Sequence, residues 1–280
     1  MREIAWNTIR DTVASLAVRS NTVLDTKVEE AIRQARKTEE SPVGLSILDQ
    51  LLENGRIARE TATPICQDTG LAVVFVTIGQ EVHVTGGSLE AAIHAGVAKG
   101  YTEGYLRKSV VRDPLDRVNT GDNTPAIIHY RIVPGEELTL TVAPKGIGSE
   151  NMSRIFMLKP SQGLAGIRQA VLDTVEAAGS NACPPLVIGV GVGGNFEKCA
   201  ELAKEALLRP IGQHAQDPSW AKIEEDLLKA VNDLGIGPQG FGGRTTALWL
   251  AIETYPTHIG GMPVAVNINC HVARHESATL

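Results

Sequence analysis

Short runs of consecutive apolar residues alternate along this chain with stretches in which apolar residues recur at helical spacing. Leu71–Ile78 and Leu186–Val192 are continuous runs rich in β-branched residues and bounded by glycine or proline, which is typical of buried strands. In Leu24–Ala35 and Leu164–Val175 the apolar residues recur every three or four positions, which indicates amphipathic helices. This alternation predicts an α/β protein with a central mixed sheet flanked by helices and a helical N-terminal layer. Because the chain contains no internal repeat or linker-like tract, we expect a single domain over residues 1–280.

Local signals complete the expected order of strands and helices. Ala126–Val133 and Leu138–Ala143 have the composition of strands, and the four residues between them, P-G-E-E, are typical of a turn. Together they predict a β-hairpin. Ser88 and Ser219 each precede a helical pattern and are the predicted N-caps of their helices.

The charge balance and the lack of long apolar segments limit the possible partners. The 26 Lys and Arg residues against 32 Asp and Glu residues give a net charge of −6, without the basic surplus of a nucleic-acid-binding protein. No apolar run approaches the ~20 residues of a membrane helix, and the first residues lack the apolar core of a signal peptide. We therefore expect a cytoplasmic protein that binds neither nucleic acid nor a membrane.

A glycine-rich segment overlaps the second of the two buried strands. Gly189–Gly194 matches the G-x-G-x-x-G pattern of dinucleotide-binding turns, but the region about 20 positions on, Gly212–Ser219, is a polar loop rather than the end of a second strand. We interpret these glycines as permitting close packing of a strand on a helix, or the approach of another ligand. The turn Lys145–Ser149 lacks the Walker pattern, although its glycines can present backbone N–H groups to a small anion.

The four cysteines are too few for a disulfide-stapled scaffold and fall into two kinds. Cys199 shares one face of the predicted helix Asn195–Leu208 with leucine and alanine, so we expect a small buried apolar residue. Cys66, Cys183 and Cys270 lie in predicted loops beside polar residues, proline or glycine. None belongs to a close C-x-x-C pair, which argues against a structural zinc site. Semi-buried structural thiols are the plain alternative.

Three loop thiolates suit a [4Fe–4S] cluster in which one iron is not held by the protein. Electron-transfer clusters normally have all four irons held by cysteine. An open iron is a Lewis acid that can bind a substrate hydroxyl or carboxylate and assist cleavage of a C–O bond. The three loop cysteines therefore favour a hydro-lyase over an iron–sulfur sensor or electron carrier, which would use Cys199 as a fourth ligand.

Ordered segments around these cysteines resemble a known family. They are P-I-C-Q-D-T-G (Pro64–Gly70), L-R-K-S (Leu106–Ser109), N-T-G-D-N-T-P (Asn119–Pro125), K-G-I-G-S-E-N (Lys145–Asn151), C-P-P (Cys183–Pro185), G-V-G-G-N (Gly191–Asn195) and T-H-I-G-G-M-P-V-A-V-N-I-N-C-H (Thr257–His271). Together they resemble the iron–sulfur-dependent class I fumarate hydratases and the similar L-tartrate dehydratases. The resemblance covers the chain from about residue 5 to its end.

The resemblance implies a [4Fe–4S] cluster held by Cys66, Cys183 and Cys270. It also implies an arginine that meets a substrate carboxylate, a glycine that contacts substrate through its backbone, a histidine that hydrogen-bonds substrate, and a Gln-Asp pair beside the first cysteine. In this sequence those residues are Arg107, Gly146 or Gly148, His258, and Gln67 with Asp68.

The chemistry of these side chains agrees with the implied roles. An arginine offers a bidentate fork that suits a carboxylate, and Asp68, two residues from a ligand thiolate, is placed to handle a proton. The alternatives are a turn-capping carboxylate for Asp68 and a satisfied core histidine for His258. We expect His271 and His275 to be solvated residues of the tail.

This chain departs from the long members of the family in one respect. Those members carry a second, C-terminal domain with further substrate arginines, a lysine and a threonine proposed as the catalytic base, whereas this chain ends ten residues after Cys270. We therefore expect the α subunit of a two-subunit enzyme, completed by a β subunit in a heterotetramer. The expected reaction interconverts (S)-malate and fumarate plus water. Dehydration of L-tartrate to oxaloacetate, or a non-catalytic iron–sulfur sensor or electron carrier, are the alternatives.

Overall fold

Two four-stranded sheets each organise a separate group of elements. The structure, a computed structural model, describes all of residues 1–280. Unit 1 comprises Met1–Asp25, Gly55–Ile147 and Arg274–Leu280, and unit 2 comprises Thr26–Asn54 and Gly148–Ala273. The α/β class and the mixed strand pairing are confirmed, with one mixed sheet in each unit instead of one central sheet. The expectation of a single domain stays a prediction.

Helices and strands alternate along the chain. The helices are α1 (Trp6–Thr22), α2 (Thr26–Thr38), α3 (Pro42–Thr61), α4 (Leu89–Glu103), α5 (Ile147–Glu150), α6 (Gly163–Ala178), α7 (Phe196–Ala206) and α8 (Pro218–Asn232). The strands are β1 (Arg2–Ala5), β2 (Leu71–Gly79), β3 (Val82–Thr85), β4 (Ile127–Val133), β5 (Leu138–Lys145), β6 (Arg154–Leu158), β7 (Leu186–Gly194), β8 (Ala247–Thr257), β9 (Met262–Asn269) and β10 (Glu276–Thr279). No helix has both the length and the apolar character needed to cross a membrane.

The sheet of unit 1 has the strand order β10-β5-β2-β4. Strand β2 is parallel to β4 and antiparallel to β5, and β10 is antiparallel to β5. Helices α1 and α4 and these strands share one apolar core, which includes Ile9, Val13, Ile93, Val97, Val74, Val76, Leu140 and Val142. Gly96 lets the two helices approach closely, because a Cβ there would lie 2.6 Å from the carbonyl oxygen of Arg10.

The predicted hairpin of β4 and β5 is wrong, although both strands exist. Strand β2 lies between them and pairs with each. The P-G-E-E connection crosses the end of β2, where Gly79 N–H donates to Glu137 O at 2.8 Å and Glu81 N–H donates to Gly135 O at 3.0 Å. A Cβ at Gly79 would lie 2.2 Å from Gly135 O, so this crossing requires glycine. Local turn residues do not reveal that a strand from earlier in the chain occupies the space between two later strands.

The sheet of unit 2 has the strand order β6-β9-β7-β8. Strand β7 is parallel to β8 and antiparallel to β9, and β6 is antiparallel to β9. Residues of α6 and α8 pack with these strands in an apolar core that includes Ile167, Val171, Val175, Leu227, Val231, Ile188, Val190, Leu250, Ile252 and Val266.

The glycine-rich segment forms part of β7 rather than a phosphate-binding loop. Cβ atoms at Gly189 and Gly191 would lie 2.1 Å from Ala203 O and 2.0 Å from Cys199 O, both in α7. The interpretation of these glycines as permitting close strand–helix packing is confirmed.

Of the two predicted helix caps, one is confirmed and one is wrong. The side chain of Ser88 accepts the N–H of Ala91 at the start of α4. At α8 the cap is Asp217, whose carboxylate accepts the N–H of Ser219 at 2.8 Å, because Pro218 already occupies the first helical position.

Candidate functional site

Four chain segments meet at one end of the unit 1 sheet. The turn Cys66–Gly70 leads into β2, and Lys145, which ends β5, pairs with Leu71, which begins β2. Strands β4 and β10 begin toward this same end, so the residues that precede them also lie here. The strand order therefore brings the C-Q-D-T-G turn beside the K-G-I-G turn.

Buried side chains hold the carbonyl groups of the Cys66–Gly70 turn. The hydroxyl of Tyr101 donates to Thr69 O at 2.8 Å and lies 3.1 Å from Gly70 O, and Asn123 Nδ2 donates to Gly70 O at 3.1 Å. Tyr101 and Asn123 are fully buried, and burial raises the pKa of Tyr101, which keeps its hydroxyl protonated. Because buried carbonyls need such donors, these contacts hold the turn in one conformation.

Asp68 connects the two turns through its carboxylate. Its Oδ1 accepts the N–H of Gly70 at 3.0 Å, which is the turn-capping role that the sequence left as an alternative. Its Oδ2 accepts the N–H of Ile147 at 2.8 Å, and a Cβ at Gly146 would lie 3.3 Å from that same oxygen. Each oxygen keeps a further lone pair for a ligand. The neighbouring Gln67 is exposed.

Arg107 is fixed through its backbone and leaves its guanidinium free. The hydroxyl of Thr69 accepts the N–H of Arg107 at 2.9 Å and donates to Arg107 O at 3.2 Å. The side chain is exposed, and its guanidinium forms no hydrogen bond or ion pair with the rest of the chain. This arrangement presents an unpaired bidentate donor beside Asp68.

A cavity of about 480 Å³ in unit 1 contains both residues. Its other charged residues are Lys108 and Arg117, so three cations and one carboxylate line it. The remaining lining residues are Leu71, Ser109, Val110, Val111, Asn119 and Ile147. The charge excess favours an anionic ligand. Lys108, Arg117 and Asn119 were not predicted from the sequence, although Lys108 belongs to the L-R-K-S segment and Asn119 to N-T-G-D-N-T-P.

In unit 2, Cys183 and Cys270 lie at the same end of the sheet. Cys183 precedes β7 and Cys270 follows β9, and the antiparallel pairing places Val187 opposite Asn269. His271 Nδ1 donates to Cys183 O at 3.1 Å, so these two loops are in contact. Cys183 has a left-handed backbone, with φ of +53°.

The surroundings of Gly148, His271 and His275 are also defined. Gly148 lies by the Cys183 loop, since a Cβ there would be 3.6 Å from Asn181 O. The expectation that His271 and His275 are solvated is wrong. His271 is partly buried and hydrogen-bonded, and burial lowers the pKa of His275 in unit 1.

The four thiols differ in their access to a ligand. Cys199 is fully buried, its thiol donates to Phe196 O at 3.3 Å, and burial raises its pKa, so its prediction as a buried apolar residue is confirmed. Cys66 and Cys270 are half-buried and Cys183 is exposed, and none forms a disulfide. No three His, Cys, Asp or Glu side chains form a site for a single metal ion. Three of the cysteines lie in loops and are at least partly exposed, whereas Cys199 is buried in α7. This set of thiols fits an iron–sulfur cluster in which three irons each bind one cysteine.

His258 lies at the other end of the unit 2 sheet. It is exposed in the connection between β8 and β9, so it is not a core histidine. Its Nδ1 accepts the N–H of Gly260 at 3.1 Å, which leaves Nε2 as the nitrogen that can donate. The preceding Thr257 pairs with Gly194, whereas Cys183 and Cys270 lie near Leu186. Eight residues of strand separate these ends, roughly 26 Å at about 3.3 Å per residue. The structure therefore does not bring His258 to the two cysteines of its own unit.

Comparisons with known proteins bear on the family to which this chain belongs. The sequence model of the family described as fumarate hydratase (fumerase) matches residues 10–279. A protein of Methanocaldococcus jannaschii, provisionally named L(+)-tartrate dehydratase subunit alpha, is 40% identical over 272 residues, which are 95% of this chain and 95% of the relative. The L(+)-tartrate dehydratase subunits alpha of Escherichia coli K12 and Shigella sonnei are each 31% identical over 277 residues, 98% of this chain and 91% of the relative. The chain therefore belongs to the fumarate hydratase (fumerase) family of hydro-lyases.

Proposed function

We propose that this chain is the α subunit of an iron–sulfur hydro-lyase that interconverts (S)-malate and fumarate plus water. The observation that carries the proposal is the cavity of unit 1, in which the unpaired guanidinium of Arg107 lies beside the carboxylate of Asp68. A C4 dicarboxylate brings two negative charges, and the three cations that line the cavity outnumber its one carboxylate. A ligand of this class therefore suits the cavity electrostatically.

Arg107 is the proposed anchor for one substrate carboxylate. Its backbone is held on both sides by the hydroxyl of Thr69, so the guanidinium projects from a fixed point. Two parallel N–H donors fit the two oxygens of a carboxylate, which adds direction as well as affinity. Lys108 and Arg117 supply the positive charge for the second carboxylate.

Asp68 is the proposed proton-handling residue, and Gln67 and the Gly146 or Gly148 backbone are proposed substrate contacts. Both oxygens of Asp68 already accept backbone N–H groups, which holds the carboxylate in place, and each retains a lone pair. A positioned carboxylate can accept or return a proton during elimination of water.

Cys66, Cys183 and Cys270 are the residues proposed to hold a [4Fe–4S] cluster. When bound, a cluster with one iron free of protein ligands supplies a Lewis acid that weakens the bond to the departing hydroxyl. A sensor or electron carrier with four cysteine ligands is disfavoured, because Cys199 is buried in α7 and burial raises its thiol pKa. Loop cysteines that form no disulfide also suit the reducing cytoplasm, which is the compartment that we propose.

The proposed partner is a β subunit, in a heterotetramer. The relatives reported above are named as alpha subunits, which implies a second kind of chain. A heterotetramer contains two copies of this chain, and this offers a place for His258. Because His258 lies at the far end of its own sheet, we propose that its Nε2 serves the site of the second copy.

L-tartrate is the second candidate substrate. The names of the relatives favour it, whereas the description of the family favours fumarate and malate. Tartrate carries one more hydroxyl than malate, and Ser109 and Asn119 line the cavity as hydrogen-bonding groups for such a hydroxyl.

The proposal is tested by anaerobic reconstitution of the chain with its β partner and iron and sulfide. Fumarate formation from (S)-malate and oxaloacetate formation from L-tartrate are measured in parallel. We expect turnover with the complete assembly and very little with this chain alone, which should still bind a cluster. High turnover by the isolated chain would contradict the two-subunit proposal, and no turnover of either substrate by the loaded assembly would contradict the proposed reaction.

A further inference from the structure

Arg274 is a buried arginine without an acidic partner. It is 5% exposed, in the short segment of unit 1 that precedes β10. Its Nη2 donates to Asp68 O, and its Nε donates weakly to Pro144 O at 3.4 Å. Its Nη1 is buried and forms no hydrogen bond. Burial of a guanidinium with an unpaired donor is unfavourable, so stability alone does not account for this residue.

The carbonyl that Arg274 holds belongs to the residue that connects the two turns. Buried donors already hold the next two carbonyls of the C-Q-D-T-G turn, through Tyr101 and Asn123. Arg274 holds the first of the three, Asp68 O. The peptide plane that follows Asp68 is therefore fixed by this guanidinium, and the direction of the Asp68 side chain depends on that plane.

Arg274 also contacts the second turn. Pro144 O, its other acceptor, immediately precedes the K-G-I-G turn, and a Cβ at Gly146 would lie 4.0 Å from Arg274 Nη2. The planar guanidinium of Arg274 thus contacts the chain just before β2 and at the end of β5. A lysine has a single ammonium group and cannot reproduce this geometry with both acceptors.

We propose that Arg274 is a positioning residue that fixes the Asp68 carboxylate, and with it the Cys66 turn, against the Lys145–Ile147 turn. It acts through Asp68 and does not contact substrate. Its catalytic consequence rests on the proposed function. The proposed role of Arg274 in holding Asp68 in place involves only residues of this chain and does not depend on the reaction.

This role predicts a particular kinetic pattern. Arg107, the proposed carboxylate anchor, is held by Thr69 and not by Arg274. Arg274→Met in the assembled enzyme is therefore expected to lower kcat by roughly 10- to 100-fold, because small misplacement of a reacting group costs up to about that much. KM should stay close to the wild-type value. Arg274→Lys should restore part of kcat, since its ammonium keeps the charge and can donate to one of the two carbonyls.

A second measurement does not depend on activity. The amides of Gly70 and Ile147 both donate to the Asp68 carboxylate. In Arg274→Met their hydrogen exchange should accelerate, while the amide of Ile252, which donates to Glu224 in unit 2, should exchange at the wild-type rate. Arg19→Met is the matched control, because Arg19 is an exposed arginine of unit 1 that contacts Glu276 at the surface.

The outcomes separate this inference from the proposed function. A fall in kcat at constant KM, with faster exchange at Gly70 and Ile147 in Arg274→Met but not in Arg19→Met, supports it. Unchanged kcat, or a loss that follows the unfolded fraction without a local change in exchange, overturns it. If the wild-type assembly turns over neither substrate, the proposed function fails. The exchange rates of the Gly70 and Ile147 amides then decide whether Arg274 holds Asp68 in place. If the methionine variant does not fold, Arg274→Gln, which also lacks the guanidinium, provides the same comparison, with Arg274→Lys as the conservative variant.

Discussion

The Oδ2 atom of Asp68 accepts the backbone N–H of Ile147 at 2.8 Å and so joins two turns that are 79 positions apart in the sequence. One turn carries the first of the three loop cysteines, and the other is rich in glycine. The contact exists because β2 begins where β5 ends in an antiparallel pair. The same carboxylate also caps its own turn through Gly70, so its position is set before any ligand arrives.

Asp68→Asn is expected to lower kcat by roughly 10²- to 10⁴-fold, the usual contribution of a positioned acid or base. An amide can accept only one of the two N–H bonds, so the variant should also lose about 1 kcal/mol of stability. Asp113→Asn is the matched control. The Oδ1 of Asp113 accepts the N–H groups of both Leu115 and Asp116 in an exposed turn, and an asparagine keeps that oxygen. Steady-state kinetics and thermal unfolding of both variants check this, and equal kcat in the two would contradict the role of Asp68.

Arg107→Met is expected to raise KM more than it lowers kcat. Hydrogen bonds to a charged group contribute about 1.5–3 kcal/mol, which corresponds to a rise in KM of roughly 10- to 150-fold. Arg112→Met controls for loss of one positive charge nearby, since Arg112 is exposed in the same segment and does not line the cavity. Substrate titrations measure the effect. A similar KM for the two variants would show that the general field, and not a directed contact, binds the carboxylate.

Cys66→Ser, Cys183→Ser and Cys270→Ser are each expected to lose the cluster, and Cys199→Ser is expected to keep it. The thiol of Cys199 is fully buried and bonded to a backbone carbonyl within its helix. Iron and sulfide content after anaerobic reconstitution, with the visible absorbance, measure the outcome. Loss of iron in Cys199→Ser at unchanged thermal stability would instead support a four-cysteine cluster and the electron-carrier alternative.

Residues whose environment is local were predictable from the sequence. Cys199 lies on the apolar stripe of a single helix, and the glycines of β7 lie where a strand precedes its packing helix, so near neighbours in the sequence decide both. The three loop cysteines follow the same logic, because each lies just outside a strand or helix that is itself recognisable. The resemblance to a family added the substrate residues, which no local pattern would have selected.

What depends on long-range pairing was not predictable. The insertion of β2 between β4 and β5 is decided by contacts between distant segments, and the turn chemistry of P-G-E-E is the same with or without it. Arg274 is buried because β10 pairs with β5. A strand of only four residues is too short for its pairing to be predicted from the sequence. The separation of His258 from Cys183 and Cys270 follows from the pairing of β7 with β8 and β9. It is not evident from the sequence, where His258 and Cys270 belong to the same motif.

Glu39 is expected to make stability depend on acidic pH. This buried carboxylate lies between α2 and α3 and accepts the N–H groups of Glu40, Ser41, Arg244 and Thr245 at 3.0–3.1 Å. Burial alone would raise the pKa of Glu39, but the backbone N–H bonds outweigh it and hold that pKa below its ordinary value. The stabilisation is therefore complete above the ordinary glutamate pKa of about 4.3 and is lost as pH falls through the lower folded-state pKa.

The variant Glu39→Gln tests this pH dependence. At neutral pH it should be less stable than the wild type by roughly 1–3 kcal/mol, and the difference should shrink below about pH 4. Denaturant unfolding at several pH values measures it. Glu40→Gln is the control, because Glu40 forms an exposed ion pair with Arg244 and such pairs contribute little. A difference between wild type and Glu39→Gln that does not vary with pH would contradict the assignment.

His258 and Cys270 are expected to serve different copies of the chain within one site. A small dicarboxylate cannot reach both ends of a strand of nine residues, so within one copy the two residues cannot contact the same substrate. Assemblies made with only His258→Ala or only Cys270→Ser should be inactive. A symmetric pair that contains one copy of each variant has one complete site, with the histidine of one copy and the cysteine of the other. Random mixing of the two variants should therefore restore about a quarter of wild-type activity. Dissociation and reassembly of the variants, followed by turnover measurement, checks this. No recovery after demonstrated exchange of subunits would place the histidine and the cysteines in the same copy, which would require a movement of the β8–β9 connection.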